Sequence, residues 1–230
     1  MLPRVKIYFE NGALKQTTPS PDGLLGIACT GATVGATFSL STPYILRGLD
    51  SLTPLGVTEA NNPEVYKIVR EFYAEAGDGV EVWLMAFADG VKHSEMVDIA
   101  NNYGKKLVDA ANGKLRGLIV SRKPAAGYPS TVANGLDADI TVAMSKAQEF
   151  AEYYTVSKYA PLFVILEGFG YNGNALDLAD LTQKSFNRVS IFIGDTVSGS
   201  KASIGTIAGR IANSPVQRNI ARVKDGPLAP

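Results

Sequence analysis

The chain has 230 residues, 46% of them hydrophobic and 19% charged, and its 22 basic and 22 acidic side chains cancel to a formal charge of zero. That much apolar material excludes disorder as the dominant state, and the missing basic excess argues against a partner reached by bulk attraction, whether nucleic acid or anionic lipid. The single cysteine, Cys29, excludes an intrachain disulfide and a cysteine-ligated zinc site, and the single histidine, His93, excludes every His-pair metal motif.

The length admits one large domain or two small ones. The N-terminus, MLPRVKIYFENG, lacks the apolar run and small-residue cleavage site of a signal peptide, and apolar runs such as residues 162–166 are far too short to cross a bilayer. The expectation is a protein made and kept in a cytoplasm, without membrane insertion. Its near-zero charge gives little repulsion between copies and permits self-association.

Residues 1–60 read as a strand- and loop-rich β region. Residues 5–9 alternate and run into Asn11-Gly12, the pattern of a strand and tight turn, and residues 26–40 lean to β with too many glycines for a helix. This region is expected to add edge strands or a small appended β unit.

From Asn61 the pattern changes to alternating helices and strands. Asn62-Pro63-Glu64 is a helix start, with Asn as N-cap, Pro in the first turn and an acid at the positive end of the dipole. Val65, Ile68, Val69, Phe72 and Ala76 share one face, and Gly77 and Gly79 end the helix. Residues 80–87 read as a buried strand. Ser94 caps an expected second helix with Met96, Ala100, Tyr103, Leu107 and Ala111 on its inner stripe, and residues 115–120 form the next strand.

A loop is expected over 121–136. Ile140, Ala143, Met144, Ala147, Phe150, Ala151 and Tyr154 then fit a 3.6-residue period without a miss. Residues 162–166 read as a strand, 175–186 as a helix, 189–193 as a strand and 203–212 as a last helix. The alternation implies an α/β fold, a mostly parallel central sheet of about four or more strands flanked by helices. The core domain is expected over 61–213, and the polar run over 214–230 reads as an extended arm or a fragment boundary.

The most tempting chemistry is Gly168-Phe-Gly170-Tyr-Asn-Gly173, a GxGxxG after a strand and before an expected helix, with Asp195 placed 22 residues past Gly173 at the end of the next strand. Glycines admit a pyrophosphate and such an acid holds a ribose, so a nucleotide-binding enzyme is the alternative reading. Against it, the unit comes third among these strands and one strand follows it; a glycine-rich strand-to-helix turn is the plainer explanation. The run from Gly194 to Lys201 fails as a phosphate loop because Ser200 separates Gly199 from Lys201 and no Ser or Thr follows the lysine directly.

His93 opens a polar helix start and reads as an exposed or capping residue without a catalytic partner nearby. Cys29, in an apolar strand, reads as a small buried hydrophobe. Asp137 and Asp139 frame a helix start, where acids suit the dipole. Gly205 and Gly209 have the small-xxx-small spacing that lets helices pack closely.

Charge is uneven despite the zero total. Between Glu59 and Glu81 six acids, among them Glu64, Glu71 and Glu75, face two bases, while Lys201, Arg210, Arg218, Arg222 and Lys224 oppose only Asp225 near the other end. Beside the plain reading of two solvated faces stands a head-to-tail contact in which the basic tail of one copy, through Arg218, Arg222 and Lys224, meets the acidic face of the next. Heterologous contacts of that kind close into rings or propagate as filaments.

Two segments carry a resemblance. NNPEVYKIVREFYAEAGDGVEVWLM (61–85) and SIGTIAGRIANSPVQRNIARVKDGPLA (203–229) are similar to the tail sheath-like proteins of contractile phages and prophages, most of all to a prophage-encoded branch known as a domain of unknown function. The matching features are the aromatic pair Phe72-Tyr73 with Gly77 and Gly79 leading into a core strand, and Ile207-Ala208-Gly209-Arg210 with residues 219–227 at a C-terminal junction.

The resemblance implies a structural protein of a virion tail, assembled in the host bacterial cytoplasm. Its copies would stack in rings around a tail tube protein, and contraction would drive the tube through a cell envelope. It implies no cofactor and no catalytic residue. Members of that family continue into a further C-terminal region that links neighbours, so the resemblance implies a truncated, cleaved or short form here.

Overall fold

The computed structural model describes residues 24–195, 201–214 and 226–228. The expected strand over 5–9, the Asn11-Gly12 turn, and Arg218, Arg222 and Lys224 lie outside the described residues.

The sheet is built outward from its most apolar strands. β1 (Leu25–Cys29) and β4 (Gly117–Ser121) are buried at every residue, as interior strands of a sheet covered on both faces must be. With β2 (Tyr44–Leu46), β3 (Val82–Ala86), β7 (Phe163–Glu167) and β8 (Val189–Phe192), they form a six-stranded sheet of order β2-β3-β1-β4-β7-β8. All neighbours are parallel except β2, which runs antiparallel to β3 along one edge. The expected edge strand of the first 60 residues is thus β2. The expectation fails for β1, which lies in the middle of the sheet, so the sheet itself crosses the boundary drawn at residue 60.

Alternation along β1 divides the core. Ile27 and Cys29 face a cluster with Val65, Ile68, Val69 and Phe72 of α1 (Pro63–Ala76) and Ile204, Ile207 and Ala208 of α5 (Ile204–Ala212). Ala28 faces the opposite cluster, with Leu107 and Val108 of α3 (Gly104–Ala110) and Ala143, Ala147, Phe150 and Ala151 of α4 (Ala138–Glu152). The inner stripe expected for α4 is buried as expected.

The α1–α5 crossing is close because α5 presents glycine. A Cβ at Gly205 would fall on the Ile68 carbonyl oxygen, and one at Gly209 on the Phe72 carbonyl oxygen. Gly77 ends α1 at φ 76°, a left-handed conformation that favours glycine, and its N–H bonds the Tyr73 carbonyl.

Four local expectations are corrected. Asn62 stands at the N-cap of α1, but its Oδ1 accepts from the Thr33 N–H at 2.7 Å rather than from the helix, tying the β1 loop to α1. The helix expected from Ser94 to Ala111 is two pieces, α2 (His93–Met96) and α3, because the chain turns sharply enough to bring Gly104 against the Met96 carbonyl. Its cap is Lys92, whose N–H donates to Glu95 Oε2 at 2.8 Å, not Ser94. The helix expected over 175–186 is two short 3₁₀ turns, Ala175–Asp177 and Leu181–Gln183, since Asn174 and Asp180 take the amides of Leu176 and Thr182 into side-chain turns that compete with a helix.

Within the expected 121–136 loop sits a two-residue hairpin of β5 (Val132–Ala133) and β6 (Leu136–Asp137). Asn134 and Gly135 turn it at φ 54° and 74°, the pairing a primed turn demands.

Candidate functional site

The glycine loop after β7 serves backbone geometry. A Cβ at Gly168 would lie 2.5 Å from Ile193 Cγ1 and 3.0 Å from the Phe192 carbonyl, so the loop packs directly onto the end of β8. Gly170 has φ 74° and lies against Asp137, and Gly173 has φ 85°. No helix follows to present an N-terminus to a phosphate, only the 3₁₀ turn at Ala175–Asp177. Asp195 points elsewhere: its carboxylate receives Lys67 Nζ at 3.1 Å and the Ser203 hydroxyl at 2.9 Å. The Asp195 carboxylate and the glycine loop are thus each engaged within the chain, the carboxylate by Lys67 and Ser203 and the loop by β8 and Asp137.

The residues most displaced from expectation are buried polar side chains. His93 is 0% exposed, against the exposed or capping residue expected, and Arg122 is 1% exposed. His93 Nδ1 faces Asp139 Oδ2 at 3.8 Å and Nε2 faces Glu167 Oε2 at 3.8 Å, while Arg122 Nη1 stands 3.9 Å from Asp139 Oδ2. The carboxylates take their short hydrogen bonds from others. Glu167 accepts from the Ser121 hydroxyl and the Arg122 N–H, each at 2.8 Å, and Asp139 accepts from the Ser94 hydroxyl and N–H. Asp137 caps α4 through the Asp139 N–H and also receives Tyr128 and Ser130 hydroxyls. The Arg122 guanidinium stacks on the Tyr128 ring at 4.2 Å.

The cluster ties the C-terminal ends of β4 and β7 to the first residues of α2 and α4. Burial opposes the charge on Glu167, but His93, the Arg122 N–H and Lys201 outweigh it and hold this carboxyl below the usual range. The Ser94, Ser121 and Ser130 hydroxyls all donate to carboxylates, so none forms a serine–histidine pair. Chain order conceals this cluster, because Glu167 ends an apolar strand directly before the tempting glycines and Arg122 follows another strand end. Cys29 is fully buried, and burial, with Glu64 and Glu167 adding to it, pushes its thiol up to about 12. It packs as the small hydrophobe expected.

The acidic stripe of α1 is engaged within the chain. Glu64 meets Lys201 at 2.6 Å, Glu71 meets Lys67 at 3.1 Å, and Glu75 receives Arg210 through Nε at 2.7 Å and Nη2 at 3.1 Å. Arg210 also donates to the carbonyls of Gly226 and Pro227, which hangs the last described residues on the same helix. Glu64, with its side chain 24% exposed, is the most accessible of the three.

Among the described residues no group of three or more His, Cys, Asp or Glu side chains is placed to hold a metal ion, and no helix is long and apolar enough to cross a membrane.

The whole arrangement has a structural counterpart. The fold is similar to that of a chain in the cryo-EM structure of the anti-feeding prophage (AFP) helical sheath in contracted state, with a TM-score of 0.53 and 12% identity. The likeness covers 95% of this chain and 54% of that one, so the chain spans about half the length of its structural neighbour. No curated protein matches the chain. A family model described as DUF2586, N-terminal domain, matches residues 2–229, and the chain accordingly belongs to the DUF2586 family.

Proposed function

We propose that the chain is the core of a structural subunit of a contractile sheath, in a phage tail or a phage-like injection particle. Copies assemble head-to-tail into stacked rings around a tail tube protein, in the cytoplasm of a bacterial host. The observation that carries this reading is the likeness of fold over 95% of the chain to a contracted helical sheath. The glycine loop adds support, because its close approaches serve packing against β8 and Asp137. In this reading the subunit works by shape and contact, without catalysis, and contraction is a switch between two discrete sets of contacts.

The contact between basic tail and acidic helix belongs to this proposal. Arg218, Arg222 and Lys224 of one copy would meet the α1 face of the next, reaching Glu64 first and sharing Glu71 and Glu75 with Lys67 and Arg210. Replacing Arg218 and Arg222 by Glu should weaken self-association and reduce its dependence on salt. Unchanged sedimentation in a self-associating form would remove that contact.

The decisive experiment is electron microscopy of the gene's full-length product, alone and with its tube protein. Rings, tubes or sheaths are the expected result. A product that stays monodisperse and monomeric at high concentration beside the tube protein overturns the proposal.

A further inference from the structure

Beyond the C-terminal ends of β4 and β7 the chain makes two excursions, residues 124–136 and 169–182, which fold onto each other. The Asn172 N–H donates to the Gly135 carbonyl at 3.1 Å, and the Asp137 N–H donates to the Phe169 carbonyl at 2.9 Å. The Tyr128 and Ser130 hydroxyls both donate to Asp137, at 3.1 Å and 2.9 Å. The two segments form a small lobe with its own apolar centre, where Leu136 and Phe169 pack on Ile140 of α4 with Tyr128, Tyr171 and Leu178 around them.

The lobe is weakly held. Its regular structure is a two-residue hairpin and two three-residue 3₁₀ turns. Among the described residues its apolar centre buries three side chains, whereas the clusters on the two faces of the sheet bury 22 and 20. An open apolar groove runs between it and the body, with Leu136 and Leu178 on one side and Met144, Ile191 and Ile193 on the other. What the lobe covers is polar. Tyr128 lies on the Arg122 guanidinium at 4.2 Å, and the Phe169 ring stands 6.3 Å from the His93 ring. Arg122 Nε and Nη1 and both His93 nitrogens are buried without a hydrogen-bond partner among the described residues. Arg122 stays with the body, since its N–H donates to Glu167 and the next residue, Lys123, bonds Thr30 at the end of β1. Opening the lobe therefore exposes little apolar surface and returns unpartnered groups to water.

We propose that residues 124–136 and 169–182 open and close as one lid over Arg122 and His93 while the sheet stays folded. A unit with few buried apolar contacts opens at lower free energy than the core strands beneath it. The lid meets the body at Asp137, which caps α4, and at Gly168, whose N–H bonds the Phe192 carbonyl of β8 at 2.8 Å. This goes beyond the sheath reading and holds for the single chain whether or not copies assemble.

Native-state hydrogen exchange of the wild-type chain, read by NMR, tests the lid. The amides of Asp137, Ala138 and Asn172, whose acceptors Phe169, Thr131 and Gly135 all lie in the lid, should open with one shared equilibrium constant. That constant should exceed the one for the amides of β1 and β4 on the order of 100-fold. The single histidine gives a second readout, because diethyl pyrocarbonate should modify the buried His93 in proportion to lid opening, without global unfolding. Two variants separate lid from body. Gly170→Ala places a side chain at φ 74° and 3.0 Å from Asp137, and should raise lid opening and His93 modification together, about tenfold. Ile27→Val weakens the centre of the sheet and should speed exchange in β1 and β4 while leaving the lid constant and His93 modification unchanged. Lid amides that exchange only with β1 and β4, unequal constants for Asp137 and Asn172, His93 modified only on global unfolding, or an Ile27→Val change that moves lid and sheet together would each overturn the lid.

Discussion

The two faces of the sheet are held by different physics. On one face α5 crosses α1 at glycine distance, and ion pairs line the crossing: Lys201–Glu64, Lys67–Asp195 and Arg210–Glu75. On the other face α2 and α4 meet the strand ends around polar groups sealed from water: the His93 ring, the Arg122 guanidinium and the Asp139 and Glu167 carboxylates. The comparison teaches that ionic contacts count by burial more than by number. A buried group left without its partner costs far more than the pair contributed, whereas exposed partners fall back on water.

The comparison breaks most sharply at Glu167. Glu167→Ala should destabilise by about 3–5 kcal/mol in urea unfolding, since it leaves His93, Arg122 and the Ser121 hydroxyl facing an apolar gap. A loss under about 1 kcal/mol would show that water reaches this cluster.

Next comes the glycine crossing. Gly209→Val should cost about 1–3 kcal/mol or more, because its side chain meets the Phe72 carbonyl and the Glu75 Cβ, and neither backbone can retreat without opening the core. A melting temperature equal to wild type would mean that α5 shifts freely on α1.

Acidity separates the faces by sign. Glu167 titrates below its ordinary range, so its stabilisation is complete above the unfolded value of about 4.3 and is lost as pH falls through the lower folded value. Glu71 is the reverse. Burial raises it despite Lys67, so its contribution is present at acid pH and fades as pH rises through the folded value. Glu71→Gln should therefore leave stability at neutral pH nearly unchanged, with Lys67 still held by Asp195, while Glu167→Gln should lower it. Urea midpoints measured from pH 3 to 7 decide this, and identical profiles for the two variants would refute the contrast.

At the small end stand exposed pairs and the glycine loop. Arg70→Ala breaks the exposed pair with Glu59 and should change stability by less than about 1 kcal/mol. NAD, ATP or GTP should not raise the melting temperature, although a ligand at 100-fold its dissociation constant would add ~2.7 kcal/mol. An upward shift that Gly170→Val abolishes would restore the nucleotide reading.

Much of the architecture was legible because periodicity reports burial. The α4 stripe, the capping glycine of α1, the buried strands and the close-packing glycines of α5 each obey a local rule. The misreadings share one cause. The 175–186 segment has the apolar spacing of a helix, yet Asn174 and Asp180 divert its amides. The 94–111 stripe hides the turn at Gly104. β1 appears marginal beside its glycines and still becomes the centre of the sheet. Of the site, the apolar strand around Cys29 signals its burial, while the polar run around His93 signals an exposed or capping residue, and Arg122 and Glu167 give no local signal.

Composition and pattern alone determined an α/β chain with a mostly parallel sheet, helices on its faces and one buried thiol, because each follows from which residues avoid water and at what spacing. Tertiary structure alone decided that Asp195 pairs with Lys67, that α1's acids are already matched, and that His93 lies 3.8 Å from each of two carboxylates from distant parts of the chain. Spacing along a chain carries no record of which distant strand ends will converge, and the energy of a charge depends on what converges around it.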